Sequence, residues 1–68
     1  MKVYVNGQAK DIPFGIATYA YVVELAGLKG QNPTVTYHGE GASGSLSMGQ
    51  TVAVRGGMIF NVAVTRNA

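Results

Sequence analysis

The sequence has no cysteine and little charge. The lack of cysteine excludes disulfides, thiolate metal sites and a cysteine nucleophile. Lysine and arginine together number five and aspartate and glutamate three, which gives a net charge of +2. The basic residues are scattered along the chain, whereas groove-binding proteins cluster them on one face. We therefore expect no nucleic-acid partner.

Long apolar runs are also missing. No stretch approaches the roughly 20 apolar residues that a membrane-spanning helix needs, and we expect no basic and apolar leader ahead of the first predicted strand. Apolar residues nevertheless make up 47% of the chain, which is typical of a folded domain. We expect one small domain over residues 1–68 with a short tail at 65–68, located in the cytoplasm and without a membrane partner.

The sequence shows no arrangement of catalytic or metal-binding residues. His38 is the single histidine, and there is no cysteine or second histidine to share a metal. Asp11, Glu24 and Glu40 are isolated carboxylates on different predicted elements, so no general acid/base pair is visible. We therefore expect the protein not to be an enzyme and to use no cofactor or metal.

Local patterns predict a hairpin followed by a helix. Asn6-Gly7 lies between two short strand-like runs, and it supplies the positive φ angles of a type I′ turn. In the next segment, "ATYAYVVELAGLKGQNP", Thr18 is the predicted N-cap and the helix extends to about Ala26. Gly27 or Gly30 is the expected C-terminal stop. Tyr19, Val22, Val23 and Ala26 recur at helical spacing and should face a sheet.

The second half of the chain has the period-two pattern of strands. We predict a strand at Thr34–His38, a glycine-serine loop at Gly39–Ser45 and a short strand around Leu46. A turn at Met48-Gly49-Gln50 and a strand at Thr51–Val54 follow. In the final run, "MIFNVAVT", the predicted buried residues Phe60, Val62 and Val64 alternate with Ile59, Asn61 and Ala63.

This order of elements predicts the α+β, ubiquitin-like β-grasp fold. We expect a mixed four- to five-stranded sheet with one helix packed across it, and the first and last strands parallel at its centre. Arg55-Gly56-Gly57 has the sequence with which ubiquitin-type modifiers end, but here the predicted central strand follows it. Cleavage after Gly57 would remove three buried side chains, which contribute about 5–9 kcal/mol. We therefore predict a tight turn at Gly56-Gly57 rather than a processing site.

The chain resembles the bacterial multi-ubiquitin-like family over nearly its full length. The resemblance depends on "VNGQAKDIP", "TYAYVVELAGL", "NPTVTY" and "GSLSMGQTVAVRGGMIFNV", taken together and in this order. It implies a protein modifier that is activated through its C-terminus and attached to a target, in a bacterial conjugation pathway linked to antiphage defence. The implied partners are an activating-enzyme homologue, a conjugating-enzyme homologue and a processing peptidase.

The conjugation tail implied by this resemblance is Thr65, Arg66, Asn67 and Ala68. A terminal carboxylate that enters a narrow enzyme channel favours glycine, and this tail has none. Three interpretations stay open: a peptidase trims the tail, the partner enzymes accept a non-glycine end, or the chain is not conjugated. Arg66 would offer a positively charged handle to an activating enzyme or peptidase.

The sheet face opposite the helix is the predicted protein-interaction face, as is usual in ubiquitin-like domains. Its residues are Tyr4, Thr36, His38, Ile59, Asn61 and Ala63.

Two other functions share this fold. One is a self-assembling structural protein that forms filaments or homo-oligomers without conjugation. The other is a sulfur carrier for cofactor synthesis, which ranks last because it needs a terminal diglycine.

Overall fold

The computed structural model describes residues 1–39 and 41–64. Along these residues, strands surround one helix in an order close to the expected one. The elements are β1 (Lys2–Val5), β2 (Gln8–Asp11), β3 (Ile16–Thr18), α1 (Tyr19–Leu25), β4 (Thr34–Gly39), β5 (Ala42–Leu46), β6 (Thr51–Ala53) and β7 (Ile59–Ala63).

Five strands form a mixed sheet in the order β2-β1-β7-β4-β5. β1 and β7 are parallel neighbours, while β1–β2, β4–β7 and β4–β5 are antiparallel. The last strand is therefore the middle one, and the helix packs across the sheet. The predicted α+β, ubiquitin-like β-grasp fold is confirmed, including the parallel pairing of the first and last strands.

The β1–β2 hairpin turns at Asn6 and Gly7, whose φ angles are 52° and 82°. Both angles are positive, as a type I′ turn requires, so the predicted turn is confirmed. The Asn6 side chain also reaches the central strand. Its Nδ2 donates to the Val62 carbonyl at 2.9 Å, and its Oδ1 accepts from the Val62 N–H at 2.8 Å. Asn6 thus joins the end of β1 to β7.

The helix begins and ends at predicted residues. The Thr18 hydroxyl accepts a hydrogen bond from the Tyr21 N–H at 3.1 Å, which satisfies one of the free donors of the first turn. At the other end Gly27 has a φ of +75°. Its N–H donates to the Glu24 backbone carbonyl, and the Leu28 N–H donates to the Val23 carbonyl. This is a Schellman motif, and it selects Gly27 from the two predicted stops.

The core lies between α1 and the inner face of the sheet. Val3 and Val5 from β1 and Phe60 and Val62 from β7 are at most 5% exposed. The helix contributes Tyr19, Val22 and Val23, as predicted, and half-buried Ala26 packs against this core. The buried Tyr19 hydroxyl donates to the Pro33 carbonyl at 2.6 Å, which ties the helix to the segment before β4.

Two sequence expectations are wrong in detail. Ala42–Ser45, predicted within a glycine-serine loop, belongs to β5 and pairs residue by residue with β4. Val64, predicted to be buried, follows the end of β7 and is half-buried. Alternation alone placed Val64 inside, but the strand and its pairing with β4 end at Ala63.

Two short elements complete the fold. β3 was not predicted, and it forms a separate two-stranded antiparallel sheet with β6. The predicted turn at Met48-Gly49-Gln50 is confirmed, with the Gln50 N–H donating to the Ser47 carbonyl at 2.9 Å.

Arg55 to Met58 form a tight turn, as the sequence predicts. The Met58 N–H donates to the Arg55 carbonyl at 3.1 Å, and Gly57 has a φ of +82°, which favours glycine. The Gly57 N–H donates to the backbone carbonyl of Lys2, and Met58 is 3% exposed. The turn therefore aligns β7 beside β1 and leads directly into the core.

Candidate protein-interaction face

The outer face is the side of the five-stranded sheet that faces away from α1. β1, β4 and β7 bring to it the six residues predicted from the sequence: Tyr4, Thr36, His38, Ile59, Asn61 and Ala63. Their chain neighbours Val5, Val35, Phe60 and Val62 are buried on the opposite side. The alternation of side chains along each strand thus assembles the outer face.

Ile59 lies at the middle of a row across three strands. Its Cα is paired with Tyr4 on β1 and with His38 on β4. Ile59 is 40% exposed and Tyr4 is 37% exposed, so both present apolar surface to solvent. Asn61 lies opposite Thr36 farther along β7, and Ala63 is exposed at its end. The row offers apolar contact at the centre with polar groups beside it.

Three residues that are not among the six predicted ones extend the outer face. The Lys2 ammonium lies over the Tyr4 ring, 5.9 Å from the ring centroid, in a cation–π contact. Ser43 and Ser45 on β5 lie opposite His38 and Thr36, so they share the same side. The spacing of Lys2 and Tyr4 could have indicated the first contact. The positions of the two serines could be predicted only if their segment were known to be a strand.

A concave surface lies beside α1, away from the outer face. It has a volume of about 270 Å³ and is lined mainly by apolar atoms, with Tyr19 and Val23 from the helix and Met48 from the turn before β6. Met48 is 70% exposed. Glu24 and Lys29 also line this groove. No pattern in the sequence indicated it, because its residues come from three separate segments.

The predicted conjugation tail, Thr65 to Ala68, lies outside the described residues. β7 leads towards it from the centre of the sheet. The Asn6 side chain holds Val62, and Ala63 is paired with Thr34 at the start of β4. The core residues of β7 thus precede the tail.

The described residues contain no group of three or more potential metal ligands. The predicted solvent-side position of His38 is confirmed, since it is exposed on the outer face. Asp11 forms an exposed ion pair with the N-terminal amine at 3.2 Å, which contributes little stability. Among residues 1–39 and 41–64, no helix has both the length and the apolar character needed to cross a membrane.

The mixed sheet, the crossing helix and the parallel central strands define a ubiquitin-like β-grasp domain. A family model described as multiubiquitin matches residues 1–66. The chain therefore belongs to the multiubiquitin family. Searches of the curated proteins and of the solved structures return no match.

Proposed function

We propose that this chain is a ubiquitin-like protein modifier in a bacterial conjugation pathway. In this proposal the C-terminal carboxylate reacts with ATP to form an acyl adenylate, which releases pyrophosphate. The acyl group is then transferred to an amine of a target protein, which forms an amide and releases AMP. An activating-enzyme homologue, a conjugating-enzyme homologue and a processing peptidase carry out these steps. The match of the multiubiquitin family model to residues 1–66 is the observation that carries the proposal.

The position of β7 supports a role for the tail rather than for Arg55-Gly56-Gly57. Exposing a carboxylate at Gly57 would detach β7, whose Phe60 and Val62 are 0% and 5% exposed in the core. Trimming within residues 65–68 would leave every residue of β7 in place. Activation at or near the C-terminus is therefore compatible with a folded modifier.

The outer face supports recognition by partner enzymes. It combines the partly exposed apolar side chains of Tyr4 and Ile59 with polar neighbours on one side of a hydrogen-bonded sheet. Aromatic and apolar residues surrounded by polar groups are typical of protein contacts. In this proposal the outer face docks the modifier while the tail enters the active site.

Intact-mass spectrometry tests the proposal directly. The full chain would be incubated with ATP and with candidate activating-enzyme, conjugating-enzyme and peptidase homologues from the same organism. We expect a trimmed tail, or a target whose mass increases by that of the mature modifier minus one water. Fragmentation should place the new amide bond at the modifier's terminal carboxylate. An unaltered mass with the complete set of enzymes would refute the proposal.

Arg66 provides the matched variant for this assay. Its guanidinium can form bidentate hydrogen bonds with an enzyme carboxylate, so Arg66→Ala should slow trimming or activation. Arg55→Ala removes an exposed arginine from the turn before β7 and serves as the control. Equal rates for the two variants would argue against Arg66 as a handle.

A further inference from the structure

We propose that β5 is a self-association edge, through which two copies of this chain pair their sheets antiparallel. β5 ends the strand order of the five-stranded sheet, and Ala42 to Ser45 are exposed. Among the described residues, the backbone groups of Ala42–Leu46 pair with β4 alone. Alternate N–H and C=O groups therefore point away from the sheet, where another strand can bond to them.

The composition of β5 leaves this edge open. Natural edge strands are protected by charged side chains, proline, bulges or a covering element. β5 has the sequence Ala-Ser-Gly-Ser-Leu, which contains no charged residue and no proline. Its five residues pair with β4 in continuous register, so it has no bulge. Its exposed side chains are also small, so an incoming backbone can approach closely.

The opposite edge is protected. β2 carries Lys10 and Asp11, and Pro13, which lacks an N–H, follows it closely. The N-terminal amine also bonds to the Asp11 side chain at 3.2 Å. When two copies pair through β5, the two ends of the combined sheet are both protected β2 strands. The pairing therefore closes a dimer and does not extend into a fibre.

The sequence of β5 favours a second copy as the occupant. Ser43-Gly44-Ser45 is symmetric about Gly44, so a two-fold axis there places Ser43 of each copy opposite Ser45 of the other. Such cross-strand hydroxyl pairs form hydrogen bonds, and two uncharged strands meet without repulsion. The same axis is the one that an isologous dimer requires.

Tyr37 shapes the middle of this edge. A β-carbon on Gly44 would lie 3.0 Å from the Tyr37 hydroxyl oxygen, so the ring reaches across the glycine from β4. The aromatic ring thus covers the position where β5 has no side chain of its own. With Gly44 of the two copies paired at the axis, their Tyr37 rings approach each other above it.

The pairing is small and should be weak. One five-residue edge buries less area than the standard interfaces of stable complexes, so we expect a dimer that dissociates on dilution. The proposal is independent of conjugation, because it concerns an edge of the sheet and neither the tail nor the outer-face row at Ile59.

Sedimentation velocity across a concentration series tests the proposal on the full chain. Ser43→Lys/Ser45→Lys places like charges opposite each other twice in the dimer and should raise its dissociation constant by about tenfold. The control is Gln8→Lys/Ala9→Lys, which adds the same charge at the exposed β2 edge and should leave the dimer unchanged. Circular dichroism and urea unfolding would establish that both double variants fold.

Amide hydrogen exchange locates the contact. Protection within Ala42–Leu46 should rise with protein concentration, while protection in β2 should stay constant. A chain that remains monomeric at millimolar concentration would overturn the proposal. So would a dimer that survives Ser43→Lys/Ser45→Lys, or one that is broken by Ile59→Arg on the outer face.

Discussion

At the scale of single residues, Asn6 combines two roles that are usually separate. Its φ of 52° forms the hairpin turn, and its side-chain amide makes two hydrogen bonds with the backbone of Val62. These bonds are partly buried, and they follow the backbone bond from the Asn6 N–H to the Phe60 carbonyl at 3.0 Å. Asn6 thereby continues the β1–β7 contact beyond the last paired residues of β1.

Asn6→Gly separates the two roles. Glycine adopts the positive φ without strain, but it leaves the N–H and C=O of Val62 without their partner. We expect the variant to fold with a free energy of unfolding lower by about 1–3 kcal/mol. Urea unfolding followed by circular dichroism measures the difference. Unchanged stability would mean that water replaces the amide at no cost.

The Asn6 contact also shows what a local pattern leaves out. The Asn-Gly pair predicts the turn because positive φ is a property of two adjacent residues. The bonds to Val62 join residues 56 positions apart, and they exist only once β7 is inserted beside β1. Thr18 and Gly27 were predictable for the same reason as the turn. Both make their hydrogen bonds to residues of the adjacent helix end, close by in the sequence.

At the scale of elements, β7 is the strand on which the fold depends. It lies between β1 and β4, and Phe60 and Val62 fill the space beneath the helix. Val62→Asp should unfold the domain, because an uncompensated buried charge costs about 3–5 kcal/mol, close to the full stability of a small domain.

Ala63→Asp is the matched control for that variant. It puts the same carboxylate one residue along on β7, where the side chain is exposed on the outer face. Circular dichroism and thermal unfolding should show a folded Ala63→Asp variant and an unfolded Val62→Asp variant. A cooperative unfolding transition in Val62→Asp would contradict the assigned orientation of β7.

The strands differ in how strongly their sequences predict them. β1, β4 and β7 have one buried side, so hydrophobic alternation marks them. In β5 only Leu46 is buried, and the strand is held by backbone pairing with β4. No alternation arises from such a segment, and its glycine and serines are typical of a loop. β3 has three residues and depends on its contact with β6, which is distant in sequence.

At the scale of the whole molecule, the outer face was predictable once the strand order was inferred. Tyr4, His38 and Ile59 come from three strands, and the parallel placement of β1 beside β7 brings them into one row. The groove beside α1 was not predictable, because Lys29 and Met48 approach the helix from loops with no periodic signal. A surface made by a sheet thus follows from alternation, whereas one made by loops depends on how the chain closes.

Ile59→Arg tests whether the outer face binds the proposed partner enzymes. Ile59 is exposed, and its arginine variant should fold normally because the guanidinium extends into solvent. The substitution places a hydrated charge at the centre of the row, where an apolar contact would otherwise be desolvated. We therefore expect binding to the activating-enzyme homologue to weaken by about tenfold or more, as for a central contact residue.

Ile16→Arg provides the control for this measurement. Ile16 is 58% exposed, but it lies on β3 in the separate two-stranded sheet. The two variants therefore make the same chemical change on different surfaces. Isothermal titration calorimetry with the activating-enzyme homologue should separate them, with Ile16→Arg close to the unmodified chain. If both bind equally well, recognition depends on another surface, for which the groove beside α1 is the next candidate.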